Sequence, residues 1–136
     1  PRAAMLVGAA LAGTAIENSM LGAAHSAANP LTAHLGTIHG DAVGMLLPHV
    51  VRLNTSESSA AEIYRELAAS VGAASLPEFL ESLLASASMP SRLPDASLTP
   101  ELLPRLAREA AAQWTAQFNP VLPEESDFLQ LYAKLQ

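Results

Sequence analysis

Four histidines are the residues of this chain best suited to chemistry, and all lie within its first 49 residues. His25 is predicted near the end of a helix, and His39 follows 14 residues later, after the chain reverses. Two imidazoles placed in this way can reach one ion, and imidazole suits zinc and ferrous iron equally well. The spacing is not the HExxH pattern, in which both ligands share one helical face. The alternative interpretation is a hydrogen-bonded core residue at His25 and a helix-entry residue at His39.

The surrounding segment offers few carboxylates that could complete a metal site. Residues 1–56 contain four charged residues: Arg2, Glu17, Asp41 and Arg52. Glu17 precedes His25 by eight residues, which is about 12 Å along a continuous helix and too far for a shared ion. Asp41 is better explained as a first-turn residue of the next helix. Catalytic metal sites commonly have three or more protein ligands. We therefore expect two ligands here, in a piece of a longer protein.

Three further polar side chains lie close to this pair in the sequence. Asn29 follows His25 by one helical turn and is predicted on the same helical face. His34 is predicted in the reversing loop, where it could line the same pocket. His49 follows a proline on the next helix and is interpreted as structural.

The pattern of residues predicts an all-α fold. Alanine and leucine dominate, and runs of β-branched and aromatic residues are nearly absent. One long helix over residues 3–28 is expected to stop at Pro30. A loop over 30–39 then leads to a second helix, from about 40 to 53, that Pro48 should kink. Shorter amphipathic helices are predicted at 57–71, 75–87, 105–117 and 123–135. The prediction is about six helices in a single domain, residues 1–136.

Two local features of these helices carry specific expectations. The first helix is apolar almost all round, which fits either a buried central helix or a membrane span. Its many small residues, together with Glu17 and Asn18, favour close packing against neighbouring helices. The residues Ser75 and Glu78 form a capping-box pattern at the start of a later helix.

The composition excludes several classes of function. Half of the residues are hydrophobic, 15% are charged, and the net charge is −6. This charge gives no basic stripe for nucleic acid and no polybasic patch for anionic lipid. The chain has no cysteine, so disulfides and thiolate metal clusters are excluded. We expect a cytoplasmic protein with no nucleic-acid or membrane partner.

The segment from Asn18 to Asn54 resembles the signature of the iron-containing (group III) alcohol dehydrogenases. That signature has a glycine-bearing helix ending in histidine, a small loop, a His-Gly pair, and a helix with Leu-Pro-His-Val that ends in Asn. The matching residues are Leu21-Gly22, His25, His39-Gly40, Leu47-Pro48-His49-Val50 and Asn54. Towards the end of the chain, Gln113-Trp114-Thr115, Asn119-Pro120 and Leu131-Tyr132 also fit.

The resemblance implies a two-domain enzyme of which this chain is the C-terminal helical part. Family members have a Rossmann-like nicotinamide domain, and an Asp and three His hold a divalent metal, Fe²⁺ or Zn²⁺. His25 and His39 correspond to the last two of these ligands. The DxxxH stretch that supplies the other two, and any glycine-rich phosphate loop, are absent from this sequence. We therefore expect that NAD or NADP is bound mainly by a missing N-terminal domain.

The family's reaction is Lewis-acid-assisted hydride transfer between a small alcohol or aldehyde and the nicotinamide. We expect the intact enzyme to be a homo-oligomer and this piece alone to be inactive. Asn29 replaces a histidine that in many members lies near the nicotinamide, where it contributes to catalysis and cofactor binding. Asparagine cannot titrate, so a proton relay through this position is in doubt. Ile16 matches a position that lines the substrate pocket.

Two alternatives remain open from the sequence. One is a stand-alone helical interaction module that kept the motif without catalysis, with the apolar first helix as a partner surface. The other is an atypical relative such as a maleylacetate reductase or a glycerol dehydrogenase, for which the change at Asn29 gives some support.

Overall fold

The prediction of an all-α fold is confirmed by the computed structural model, which describes residues 1–95 and 97–136. These residues contain seven α-helices, one 3₁₀ helix and no strand. The α-helices are α1 (Arg2–Ser19), α2 (Ala23–Leu35), α3 (His39–Asn54), α4 (Ser58–Ser70), α5 (Leu76–Ser86), α6 (Leu103–Ala111) and α7 (Glu125–Ala133). The 3₁₀ helix spans Trp114–Phe118 and lies between α6 and α7.

The prediction of one continuous helix over residues 3–28 is wrong. The chain breaks after Ser19, and α1 and α2 meet at an angle of 104°. Helix α1 ends at Met20, whose φ of 64° and ψ of −176° form a backbone conformation that residues other than glycine rarely adopt. At Gly22, an added Cβ would lie 2.9 Å from Asn119 Oδ1. The break is therefore formed around a tertiary contact that the local sequence does not reveal.

Pro30 does not end α2, contrary to prediction, and the helix continues to Leu35. An interior proline removes one helical hydrogen bond and crowds the preceding turn. Pro30 is fully buried in the core, as is Pro48 within α3, so burial of the ring offsets the lost hydrogen bond. The helix ends instead at Gly36, whose φ of 66° gives a left-handed C-cap. The predicted loop thus shrinks to residues 36–38.

The core lies where α2, α3, α6 and α7 pack together. Its largest fully buried side chains include Leu31, Leu46, Leu106, Phe128 and Tyr132. Burial of each such side chain contributes about 1.5–3 kcal/mol. The Tyr132 hydroxyl donates a hydrogen bond of 2.8 Å to the Ala27 carbonyl, and its burial raises the pKa of that phenol. This bond ties α7 to the helix that carries His25.

The helices of the second half follow the prediction with two corrections. The predicted helix at 105–117 ends at Ala111, and the residues after Gln113 form the 3₁₀ helix. Ser75 occupies the N-cap of α5 but its side chain accepts no hydrogen bond there. The predicted capping box is therefore absent, although the N–H of Glu78, its usual donor, is present. A reciprocal capping box forms instead between Glu124 and Asp127 in α7.

Helix α1 has no buried residue, so the prediction that neighbouring helices pack around it is wrong for this chain. The bend after Ser19 turns α1 away from α2, and Met5, Leu6 and Leu11 are each at least 66% exposed. Within residues 1–95 and 97–136, no single helix is long and apolar enough to cross a bilayer. Only the bent pair of α1 and α2 reaches that length and composition together.

Candidate metal site

The structure brings His25 and His39 together. His25 is the third residue of α2 and is half-buried, whereas His39 is the first residue of α3 and is exposed. His25 Nδ1 lies 3.1 Å from His39 Nε2. The ring centroids are 5.2 Å apart and the planes are inclined by 39°. The short loop after Gly36 returns the chain so that these two side chains meet.

This separation fits two ligands of a single ion. Imidazole nitrogens bind zinc at about 2.0–2.1 Å, so two of them in a tetrahedral site lie about 3.3 Å apart. The observed N–N distance of 3.1 Å is close to that value. Without an ion, one of the two rings donates its N–H to the other, and the tautomers decide which. The same two nitrogens would hold a divalent metal once both rings turn their lone pairs from each other towards the ion.

The surroundings favour the neutral form of His25. Burial lowers the pKa of the His25 imidazole, and the nearby His39 lowers it further. A neutral imidazole is the form that binds metal. The local environment is therefore compatible with a ligand at this position.

The carboxylates near the pair in sequence do not complete a site. Glu17 lies on α1, on the far side of the break, and is exposed. The reach of about 12 Å calculated along a continuous helix therefore does not apply, since the helix is not continuous. Asp41 lies in the first turn of α3, as predicted. Among residues 1–95 and 97–136, no group of three or more His, Asp or Glu side chains is arranged to hold a metal ion.

Asn29 and His34 lie on α2 but bond to later parts of the chain. The Asn29 amide donates a hydrogen bond of 3.0 Å to Gln113 Oε1. His34 Nε2 lies 2.6 Å from Glu109 Oε2, and the other oxygen of that carboxylate accepts from Arg105. Both residues thus join α2 to α6 and the segment that follows it.

Ile16 and His25 line the same cavity, which has a volume of about 390 Å³. It lies where α1, α2 and α3 meet, and Val43 and Leu47 form part of its apolar wall. The side chains of Asn29, His34 and His39 are not part of this lining. The cavity therefore links one predicted substrate-pocket residue to one predicted metal ligand.

A buried polar network beside the cavity was not predicted from the sequence. Asn54 and Asn119 bond to each other through their side-chain amides, and the Ser26 and Thr115 hydroxyls lie 2.8 Å apart. The sequence motif included Asn54, Thr115 and Asn119 but gave none of them a role. The contact between Asn54 and Asn119 spans 65 positions, so no local pattern could reveal it.

The comparisons with known proteins agree with this fold. The whole chain, residues 1–136, matches the profile of the Fe-containing alcohol dehydrogenase family, C-terminal. The chain therefore belongs to the iron-containing alcohol dehydrogenase family and corresponds to its C-terminal helical part.

Two curated relatives are similar over nearly all of the chain. Lactaldehyde reductase of Escherichia coli (strain K12) is 33% identical, over 94% of this chain and 36% of that protein. Maleylacetate reductase 1 of Cupriavidus pinatubonensis is 30% identical, over 92% of this chain and 34% of that protein. The chain thus spans about a third of the length of the curated relatives it matches.

Solved structures share the helical fold. The iron-containing alcohol dehydrogenase from Thermococcus thioreducens superposes with a TM-score of 0.74 and 25% identity, over 85% of this chain and 32% of that one. Sulfoacetaldehyde reductase from Bifidobacterium kashiwanohense, solved in complex with NAD+, gives a TM-score of 0.72 and 25% identity, over 84% of this chain and 30% of that one.

Proposed function

We propose that this chain is the metal-binding C-terminal part of a metal-dependent alcohol dehydrogenase that interconverts an alcohol and an aldehyde or ketone with a nicotinamide cofactor. The observation that carries the proposal is the 3.1 Å separation of His25 Nδ1 and His39 Nε2. This distance matches two imidazole ligands on one ion. A bound Fe²⁺ or Zn²⁺ would supply Lewis-acid polarisation of the substrate oxygen.

The substrate and cofactor classes are supported by the relatives. The lactaldehyde and sulfoacetaldehyde reductases act, by name, on small aldehydes, and the latter was solved with NAD+. We infer that the intact protein uses NAD or NADP on a small alcohol or aldehyde. Because the chain spans about a third of its relatives, we place the nicotinamide-binding residues and the remaining metal ligands outside it. Under this proposal the chain alone is inactive.

Two further side chains of this chain, Ile16 and Asn29, contribute to the proposed site. Ile16 contributes to the apolar wall of the cavity that also contains His25, which suits the carbon skeleton of a small substrate. Asn29 lies one turn beyond His25, and we propose that its amide serves cofactor binding and catalysis by hydrogen bonding. It cannot relay a proton, because an amide does not titrate. His34 is held by Glu109 in this structure and would reach the pocket only if that pair opened.

The exposed surface of helix α1 supports the proposal that this chain packs against the rest of the dehydrogenase. Its apolar side chains are exposed all round, and it carries one wall of the cavity beside His25. An exposed apolar surface of this kind is typical of an interface. We propose that the part of the protein bearing the other ligands covers α1 and closes the cavity.

The metal proposal is tested by titrating the chain with Zn²⁺ in a calorimeter. We expect one weak site, with a Kd above about 1 µM, because two imidazoles alone hold the ion. His25→Gln and His39→Gln should each abolish that site. His49→Gln is the matched control, since His49 is a half-buried histidine outside the pair, and it should leave binding unchanged. Binding that survives both substitutions would rule out this site, and tight binding would contradict its incompleteness.

A second candidate is a helical interaction module without catalysis. The observation in its favour is the apolar α1, which has no buried residue. This candidate predicts that Leu6→Glu in α1 abolishes association with a partner while Zn²⁺ binding is absent from the wild-type chain. Wild-type Zn²⁺ binding that depends on His25 and His39 would favour the dehydrogenase.

A further inference from the structure

The side chains of Asn54 and Asn119 form a buried pair of carboxamides beside the candidate site. Asn119 Nδ2 donates to Asn54 Oδ1 at 2.6 Å, and Asn54 Nδ2 donates to Asn119 Oδ1 at 3.3 Å. Asn54 is 2% exposed and Asn119 is 9% exposed. Two further bonds complete the network, from Asn119 Nδ2 to the Val121 carbonyl and from Asn54 Nδ2 to the Tyr64 hydroxyl.

The first turn of α2 depends on this pair for its cap. Gly22 is the N-cap residue and has no side chain to bind the free N–H groups of the helix. The Ala23 N–H donates instead to Asn119 Oδ1, at 3.2 Å and across 96 positions of sequence. His25 lies in the same turn, two residues after Ala23. The cap therefore acts on the turn that carries the candidate ligand.

Gly22 allows the distant cap to approach. A Cβ at this position would lie 2.9 Å from Asn119 Oδ1, which is closer than such atoms come in folded proteins. A capping serine or aspartate at Gly22 and the carboxamide of Asn119 cannot both fit without movement. The helix thus exchanges the usual local cap for one supplied from the end of the 3₁₀ helix.

The same pair also reaches the second ligand-bearing helix. Asn54 is the last residue of α3, and His39 is the first. A single hydrogen-bonded pair therefore links the start of α2 to the end of α3. These are the two helices whose packing places His25 against His39.

We propose that Asn119, held by Asn54, is a positioning residue that fixes the first turn of α2 and thereby aims the His25 imidazole at His39. The inference rests on the proposed function, in which these two imidazoles hold a metal. It adds that their alignment depends on a carboxamide that itself contacts neither ring.

The test exchanges the distant cap for a local one. Asn119→Ala removes the acceptor for the Ala23 N–H and opens space beside Gly22. Gly22→Ser supplies a hydroxyl at the N-cap, a position at which serine is strongly preferred. The three variants compared with the wild-type chain are Asn119→Ala, Gly22→Ser and the double variant. Asn18→Ala is the control, because Asn18 is an exposed asparagine on α1 that bonds within its own helix.

The measurements are made on the metal-free chain by NMR. Side-chain nitrogen spectra report the His25 and His39 rings, with His34 and His49 as internal references. Amide hydrogen exchange reports the first turn of α2. In Asn119→Ala we expect about fivefold faster exchange of that turn, which corresponds to loss of a typical cap, together with shifted His25 and His39 ring signals.

The double variant should return the His25 ring signals towards their wild-type positions, whereas Gly22→Ser alone should disturb them. Unchanged His25 signals in Asn119→Ala would overturn the proposal. So would a double variant that recovers amide protection without recovering the His25 signals. Should Asn119→Ala fail to fold, Tyr64→Phe removes only the outermost bond of the network, and we then expect a smaller displacement of the same His25 signals. No displacement in Tyr64→Phe would also contradict the proposal.

These outcomes are separate from the failure of the proposed function. The NMR comparison contains no metal, so the positioning role can hold even if the chain binds none. A subsequent Zn²⁺ titration of the four chains tests the function itself. If both the positioning role and the metal site are correct, Asn119→Ala weakens Zn²⁺ binding by up to about fivefold, the limit set by a lost cap, and the double variant restores it.

Discussion

The two halves of the N-terminal helical segment differ sharply in what surrounds them. Helices α1 and α2 are both rich in alanine and low in charge. Helix α2 packs against α3, α6 and the 3₁₀ helix and buries seven residues, whereas α1 buries none. The same kind of sequence therefore yields a core helix in one case and an exposed one in the other. The apolar composition of a helix therefore indicates that it is suited to burial, but it does not reveal which surface, if any, buries it.

The largest difference in the free energy of unfolding is expected between two leucine-to-alanine variants, one in the core and one in α1. Leu46 of α3 is fully buried in the core, while Leu11 of α1 is 66% exposed. We expect Leu46→Ala to lower the free energy of unfolding by about 2–5 kcal/mol, because it leaves a cavity. Leu11→Ala should change it by no more than about 0.5 kcal/mol. Urea unfolding followed by circular dichroism measures both, and equal losses would show that α1 packs in solution.

Glycine-to-alanine substitutions should change the free energy of unfolding in opposite directions in the two regions. Gly22→Ala places a Cβ 2.9 Å from Asn119 Oδ1, and we expect a loss of about 1–3 kcal/mol from overpacking. Gly13→Ala in α1 meets nothing within 4 Å and should stabilise the helix by about 0.5–1 kcal/mol. Thermal unfolding of both variants tests this. A neutral Gly22→Ala would contradict the close approach on which the cap depends.

A smaller effect is expected where a single hydrogen bond holds α7 against α2. Tyr132→Phe keeps the buried ring but removes the bond to the Ala27 carbonyl. We expect a loss of about 1–3 kcal/mol, because the carbonyl remains buried without that donor. Tyr64→Phe is the matched control, since its hydroxyl is only part-buried, and it should cost less. A larger loss of stability in Tyr64→Phe than in Tyr132→Phe would contradict the stabilising role assigned to the Tyr132 hydrogen bond.

The smallest expected effect is a dependence of stability on pH. Burial lowers the pKa of His49, and Arg52 lowers it further, so the unfolded chain binds a proton more readily than the folded one. The contribution of His49 to the free energy of unfolding should therefore be fully present above about pH 6.5, the ordinary pKa of histidine. It should be lost as the pH falls through the lower pKa of His49 in the folded chain. His25 shifts in the same direction. His49→Gln should flatten part of this slope in melts between pH 5 and 7.5, and an unchanged slope would assign it to other groups.

Several elements of the fold were predictable because their signals are local. Helix α3 was predicted within a residue of its observed limits, since Asp41 marks its first turn. The predicted end of the helix at Pro30 was wrong, because burial of the proline outweighed its local helix-breaking tendency. The break between α1 and α2 was missed for a similar reason, as the close contact at Gly22 comes from the distant Asn119.

The candidate site shows the same division. The pairing of His25 with His39 was expected from the motif, and in the structure the facing ring nitrogens lie 3.1 Å apart. The cap at Asn119 had no sequence signal, because its partners Ala23 and Asn54 are 96 and 65 positions away. Local pattern identifies the residues that can do chemistry, while the residues that orient them come from distant parts of the chain.

The proposed metal site takes two imidazole ligands, His25 and His39, from this chain. X-ray absorption spectroscopy of the Zn²⁺-saturated chain counts those ligands directly. We expect two imidazole nitrogens at about 2.0–2.1 Å, with water completing the shell, and loss of this imidazole signal in His39→Gln. Three or more imidazoles, or none, would contradict it.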